Sequence, residues 1–143
     1  ATRTMATLNR AASERALAHA AQAATDVTGF GLLGHAARLA RESRVTLEID
    51  SGSLPVLPGA LELAERFQAG GLHANRREFD PLVDYRGRPS EALRALLFDP
   101  QTSGGLFLLV PEAETEALLA ELPGATLVGR ALPPGPKPLI VRA

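Results

Sequence analysis

Asp26 is the residue around which chemistry in this chain would most readily gather. It lies in Ala24-Thr25-Asp26-Val27-Thr28, directly ahead of Gly29-Phe30-Gly31-Leu32-Leu33-Gly34, so a carboxylate precedes a glycine turn and a helix start. Such a carboxylate suits Mg²⁺, a hard cation that takes oxygen ligands, keeps several waters and bridges to substrate phosphates. The backbone N–H groups that follow, left open by small residues, suit a phosphate oxygen. The hydroxyls of Thr25 and Thr28 would support either role. A second reading makes Asp26 or Thr28 a helix cap and gives the glycines to tight packing. On the residues alone both stand.

The same glycines formally match G-x-G-x-x-G, and Glu48 and Asp50 fall where a dinucleotide site keeps its ribose-binding acid. Against that, the fingerprint follows a hydrophobic strand, whereas here a carboxylate precedes the turn and would repel a pyrophosphate unless a cation stood between them. A second polar stretch, Asp99-Pro100-Gln101-Thr102-Ser103-Gly104-Gly105, runs directly into an apolar segment. Its glycines let a backbone approach a ligand, and its hydroxyls and amide offer donors and acceptors. By composition it is equally a tight turn held by side-chain bonds. His19, His35 and His73 share no helical spacing and have no carboxylate partner nearby in sequence, which argues against a zinc site. His35 is expected to pack or face solvent. Arg76-Arg77 would meet an anion or lie in a solvated loop.

The elements that must position these groups follow from periodicity. Leu8, Ala12, Ala16 and Ala20 predict a helix over 8–21 that begins abruptly, as at a cut between domains. A short strand is expected at 24–28, a helix from the glycines to about Ser43, and a half-buried strand at 45–49. Further helices are predicted at 60–68, closed by Gly70-Gly71, and at 90–97, with Ser90 as N-cap. His73–Arg88 reads as a polar surface loop. A strand at 106–110 leads to a helix opened by Pro111 with early glutamates, which suits the helix dipole. Strands at 125–128 and 139–141 complete an α+β (α/β layered) domain.

Composition narrows the functions. At 143 residues, with 45% hydrophobic and 22% charged residues, the chain reads as one globular domain able to bury a core. No apolar run approaches the roughly 20 residues of a bilayer span, and no export signal opens the chain, so the expected compartment is the cytoplasm. There is no cysteine, which excludes disulfides and thiolate chemistry. Net charge is −1 and the basic residues are scattered. Nucleic acid is therefore not an expected partner, nor is a membrane.

The run from Ala24 to His35 resembles the segment that opens the C-terminal domain of selenophosphate synthetases, and Asp99–Leu106 resembles that family's second hallmark. Met5–Asn9 and Gly70–Arg76 are similar to family segments in the matching order. The wider superfamily includes aminoimidazole ribonucleotide synthetase and thiamine phosphate kinase. The resemblance implies a mixed β-sheet packed with helices, of the aminoimidazole ribonucleotide synthetase C-terminal type, spanning 1–143 as one domain of a two-domain enzyme. It implies that selenide, ATP and water give selenophosphate, AMP and phosphate, with Mg²⁺ required. Asp26 then corresponds to a metal ligand, Thr28 and Gly29 line the ATP cleft, and Thr102, Ser103 and Gly104 lie on its wall. The family's catalytic Cys or selenocysteine and its lysine belong to an N-terminal domain, so no catalytic residue is expected here and the isolated chain is expected to be inactive. Full-length relatives are expected to be homodimers, mainly through that other half.

Overall fold

A computed structural model describes residues 2–143 of the chain. Its elements run α1 (Thr2–Ala6), α2 (Arg10–Ala18), β1 (Ala23–Asp26), α3 (Gly31–Ser43), β2 (Thr46–Asp50), α4 (Ala60–Ala64), α5 (Gly70–Phe79), β3 (Val83–Arg86), α6 (Glu91–Phe98), β4 (Leu106–Leu109), α7 (Glu112–Glu121), β5 (Gly129–Leu132) and β6 (Leu139–Arg142). A mixed four-stranded sheet has the order β3-β6-β2-β5, with β6 parallel to both neighbours and β5 antiparallel to β2. A separate antiparallel ribbon joins β1 to β4. This is the expected layered architecture of mixed sheet and helices.

The core lies where α3 and α6 cover the sheet. Leu33, Ala36, Ala37 and Ala40 recur at helical spacing on α3 and are fully buried. Their short side chains bring the helix close to Leu47, Ile49, Leu139 and Val141 of the central strands. From α6, Ala95, Leu97 and Phe98 complete the cluster. Ser90 caps α6 as expected, its Oγ accepting the Leu93 N–H at 3.2 Å. Among the described residues, no helix is long and apolar enough to cross a membrane.

Four expectations are corrected. The predicted first helix is two helices, and Leu8 and Leu17 are exposed while Ala16 is buried. Gly70-Gly71 open α5 rather than close α4, which stops at Ala64. The expected loop over 73–88 holds most of α5, a 3-10 turn and β3. The buried face of α5 is Leu72, Asn75 and Phe79, so a polar residue interrupts the apolar stripe that would have marked the helix. The strand expected at 125–128 lies instead at Gly129–Leu132. There the bare Cα of Gly129 lets the Glu48 carbonyl of β2 approach where any Cβ would collide.

Candidate functional site

Asp26 ends β1 and stands opposite Leu106 of β4. Pairing continues past the strands: Val27 N–H donates to the Gly105 carbonyl, Gly104 N–H to the Val27 carbonyl and Gln101 N–H to the Thr28 carbonyl, each at 3.0 Å. The Thr28 carbonyl also receives the Gly31 N–H at 3.0 Å. The two polar glycine stretches, distant in sequence, are thus one hydrogen-bonded unit.

Their glycines divide into two kinds. Gly31 takes a φ of +68°, and a Cβ there would lie 2.7 Å from the Phe98 carbonyl carbon. Gly104 is pressed against the Val27 carbonyl oxygen, with Gln101 Oε1 2.9 Å from where its Cβ would sit. These serve packing. Gly29 and Gly105 have nothing within 4 Å of such a Cβ, so their backbones stand open. The tight-packing part of the second reading of the first motif therefore holds at Gly31, whereas its helix-cap part does not, because the N-cap of α3 is Phe30 with no side-chain cap bond from Asp26 or Thr28.

Asn75, to which the sequence drew no functional attention, fixes the arrangement from below. Buried in α5, its Nδ2 donates to the Gly29 carbonyl at 2.9 Å and to the Phe98 carbonyl at 3.0 Å. A single amide thereby ties the loop after β1 to the start of the second motif. His35 is also more than a packed residue: its Nε2 lies 3.1 Å from Thr28 Oγ1 and 3.4 Å from the Phe30 nitrogen. Burial pushes the His35 pKa below its ordinary value, Asp26 pulls it back up and Arg38 pushes it down.

The Asp26 side chain is exposed, and none of the described residues donates a hydrogen bond to its carboxylate; its backbone carbonyl accepts from the Thr25 hydroxyl at 3.0 Å. It is thus not sealed into backbone amides. Alternation along the strand sends it to the opposite side from Val27. Val27, with Thr102, Ser103 and Gly104, lines an apolar groove of about 880 Å³ between the β1–β4 ribbon and the four-stranded sheet. Asp26, Thr28 and Gly29 do not line it. The residues expected in one cleft therefore share a backbone framework but present to two sides. Asp99, whose pKa burial raises, lies on the groove side.

An exposed carboxylate with no donor among the described residues fits Mg²⁺, which takes one or two carboxylates and fills its other positions with water and phosphate oxygens. Among the described residues no group of three His, Cys, Asp or Glu could hold a metal. The dinucleotide reading loses its frame, because β1 pairs with β4 rather than lying parallel to β2. Glu48 is spent on Arg130 at 2.9 Å, and Asp50 accepts from Gly52 N–H and the Ser53 hydroxyl, each at 3.0 Å. Arg76 is likewise engaged, forming an ion pair with Glu91.

His19 finds carboxylates that sequence distance concealed. Its Nδ1 lies 2.8 Å from Glu114 Oε2 and its Nε2 3.5 Å from Glu121 Oε1, joining α2 to α7. The hydrogen bond to Glu114 raises its pKa above 6.5, against desolvation. A raised folded-state pKa gives stability that is full below 6.5 and is lost as pH rises through the folded value. The melting temperature should fall from pH 6 toward pH 9, and H19Q should flatten that slope. An unchanged slope in H19Q would contradict the clasp.

The model of the family described as AIR synthase related protein, C-terminal domain, matches residues 1–135. The chain belongs to that family. Curated relatives include a protein named selenide, water dikinase from Clostridium botulinum (strain Eklund 17B / Type B), 37% identical over an alignment of 143 positions that covers 96% of this chain and 41% of that one. One of the same name from Geobacter metallireducens is 44% identical over an alignment of 139 positions that covers 94% of this chain and 40% of the relative. This chain thus spans about two fifths of the length of these relatives. Among solved structures, thiamine monophosphate kinase from Aquifex aeolicus is similar with a TM-score of 0.45 and 21% identity, over 85% of this chain and 31% of that one.

Proposed function

We propose that this chain is the C-terminal domain of a selenophosphate synthetase, which makes selenophosphate, AMP and phosphate from selenide, ATP and water. One observation carries the reading: an exposed carboxylate to which none of the described residues donates stands on a backbone frame that unites both hallmark stretches. Mg²⁺, when bound, would neutralise phosphate charge, and Asp26 is the residue here that would hold it.

The remaining work of this domain is binding and orientation. Gly29 leaves its backbone accessible. The α3 N-terminus beside it has Phe30 as N-cap with no side-chain cap, and its first N–H, that of Gly31, is held by the Thr28 carbonyl at 3.0 Å. The Gln101 and Gly104 N–H groups hold the second loop against the first, and Thr102 and Ser103 lie between them on the groove side. A lone carboxylate cannot clamp a triphosphate, so the rest of the site belongs to an N-terminal domain, in a cytoplasmic and homodimeric full-length protein.

The test is a titration of Mg²⁺ and ATP into the full-length protein, with phosphorus NMR in the presence of selenide. D26N should weaken Mg²⁺-dependent ATP binding by about tenfold or more, the range for disturbing a metal site. D26N that binds and turns over like the wild type refutes the reading. A nucleotide product other than AMP, or no selenophosphate, would assign the fold to a different substrate. The isolated 143-residue chain should make no selenophosphate.

A further inference from the structure

A backbone N–H can only donate, and that of Phe30 points at His35 Nε2 at 3.4 Å. Nε2 therefore carries no proton, and the neutral ring keeps its proton on Nδ1. The 3.1 Å contact between Nε2 and Thr28 Oγ1 then has one possible direction, with the hydroxyl as donor. Thr28 has one O–H, and it is spent on the imidazole. What its oxygen keeps for the outside is two lone pairs.

We propose that His35 is a positioning residue that fixes Thr28 as a hydrogen-bond acceptor beside Asp26, so that the pair receives the hydration water of a divalent cation. The inference rests on the reading of Asp26 as a cation ligand. A cation in this site would hold most of its waters, and each of those waters needs an acceptor. Outer acceptors of this kind orient the groups bound directly to the metal, and losing one typically weakens a metal site. A Thr28 hydroxyl free to rotate would present its proton to such water about as readily as its oxygen. His35 removes that choice.

The surroundings favour the neutral ring. Burial, the largest effect, disfavours the imidazolium, while the charges of Asp26 at the end of β1 and Arg38 on the next turn of α3 act on it in opposite directions. The Phe30 ring leans on it at 5.5 Å, backed by Phe79 of α5 at 5.7 Å, and the Arg38 guanidinium lies 5.2 Å from the Phe30 ring. These contacts hold the imidazole against the loop.

Two measurements test this. In the 143-residue chain, long-range proton–nitrogen NMR at pH 7 should show His35 as the Nδ1–H tautomer; an Nε2–H tautomer or an imidazolium overturns the proposal. In the full-length protein, Mn²⁺ affinity read by electron paramagnetic resonance should fall by about tenfold in H35L and in T28V, as for loss of an outer-shell partner. H35Q, which retains an acceptor near the Nε2 position, should stay within about threefold of wild type. The T28V/H35L double variant should lie within about twofold of either single, because both remove one interaction. Additive losses, or H35Q as weak as H35L, overturn the role of His35. D26N separates the two layers: if it leaves Mn²⁺ affinity unchanged, the cation reading itself fails. If D26N alone weakens binding, that reading survives and the His35 proposal falls.

Discussion

Phe98→Ala is expected to destabilise the domain by roughly 3–5 kcal/mol, the range for removing a buried aromatic ring. Phe98 is 0% exposed, ends α6 and belongs to the core cluster that also holds Leu33, Leu47, Leu97, Leu139 and Val141. Its ring is thus part of the core between the covering helices and the central strands, and truncation would leave a cavity that close-packed neighbours fill only in part. Domains of this kind are stable by only about 5–15 kcal/mol, so the variant would sit near the edge of folding. The cost extends to the candidate site, since the Phe98 carbonyl accepts from Asn75 and its backbone lies against Gly31. Hydrogen exchange at the Gly31 and Gln101 amides should accelerate alongside the loss seen in urea unfolding. L17A is the control: Leu17 is 76% exposed, and its truncation should change stability by no more than about 0.5 kcal/mol. A Phe98→Ala cost below about 1 kcal/mol would show that the ring is not the keystone its burial implies.

What the sequence made legible was local, and what it hid was mostly pairing. α3 and α6 announce themselves because Leu33, Ala36, Ala37 and Ala40, or Ala95 and Phe98, repeat at helical spacing beside clear boundaries. β2, β4 and β6 were legible as short apolar runs between turn residues. α5 was not, because Asn75 occupies a buried position on account of two carbonyls supplied by other segments. No periodicity encodes such a partner. β5 was misplaced by four residues because Ala125–Val128 is the more strand-like composition, whereas Gly129 is selected by the closeness of the Glu48 carbonyl. At the site, Asp26 stood out by residue type and context, and its exposure agrees with the open setting the cation reading requires. That Thr102–Gly104 would face a different side from Asp26 was hidden, since it depends on the antiparallel register of β1 with β4. The partners of His19 and His35 were hidden for the same reason: a side chain's charge state is set by what the fold brings to it, near in space and remote or oblique in sequence.

Gly104→Ala carries the second large expectation, a loss of roughly 2–4 kcal/mol from forced overpacking together with a broken backbone hydrogen bond. An added Cβ would drive into the Val27 carbonyl oxygen, the same atom that accepts the Gly104 N–H at 3.0 Å. Both groups are backbone, and on either side Val27 N–H bonds to the Gly105 carbonyl and Gln101 N–H to the Thr28 carbonyl. No rotamer change can relieve the contact. Relief requires the second loop to lift away from β1, which would strain or break those neighbouring bonds in turn. Gly105 is the internal comparison. It adjoins Gly104, takes no positive φ and meets nothing within 4 Å where a Cβ would stand, so G105A should stay within about 0.5 kcal/mol of wild type. A composition-based turn would predict similar behaviour at the two positions, because both are glycines in one polar stretch. The frame that unites the hallmark stretches predicts a difference of at least about 1.5 kcal/mol between G104A and G105A in urea unfolding. Equal stabilities would mean that the second loop is free of β1, and that the carboxylate of Asp26 has no fixed relation to Thr102 and Ser103.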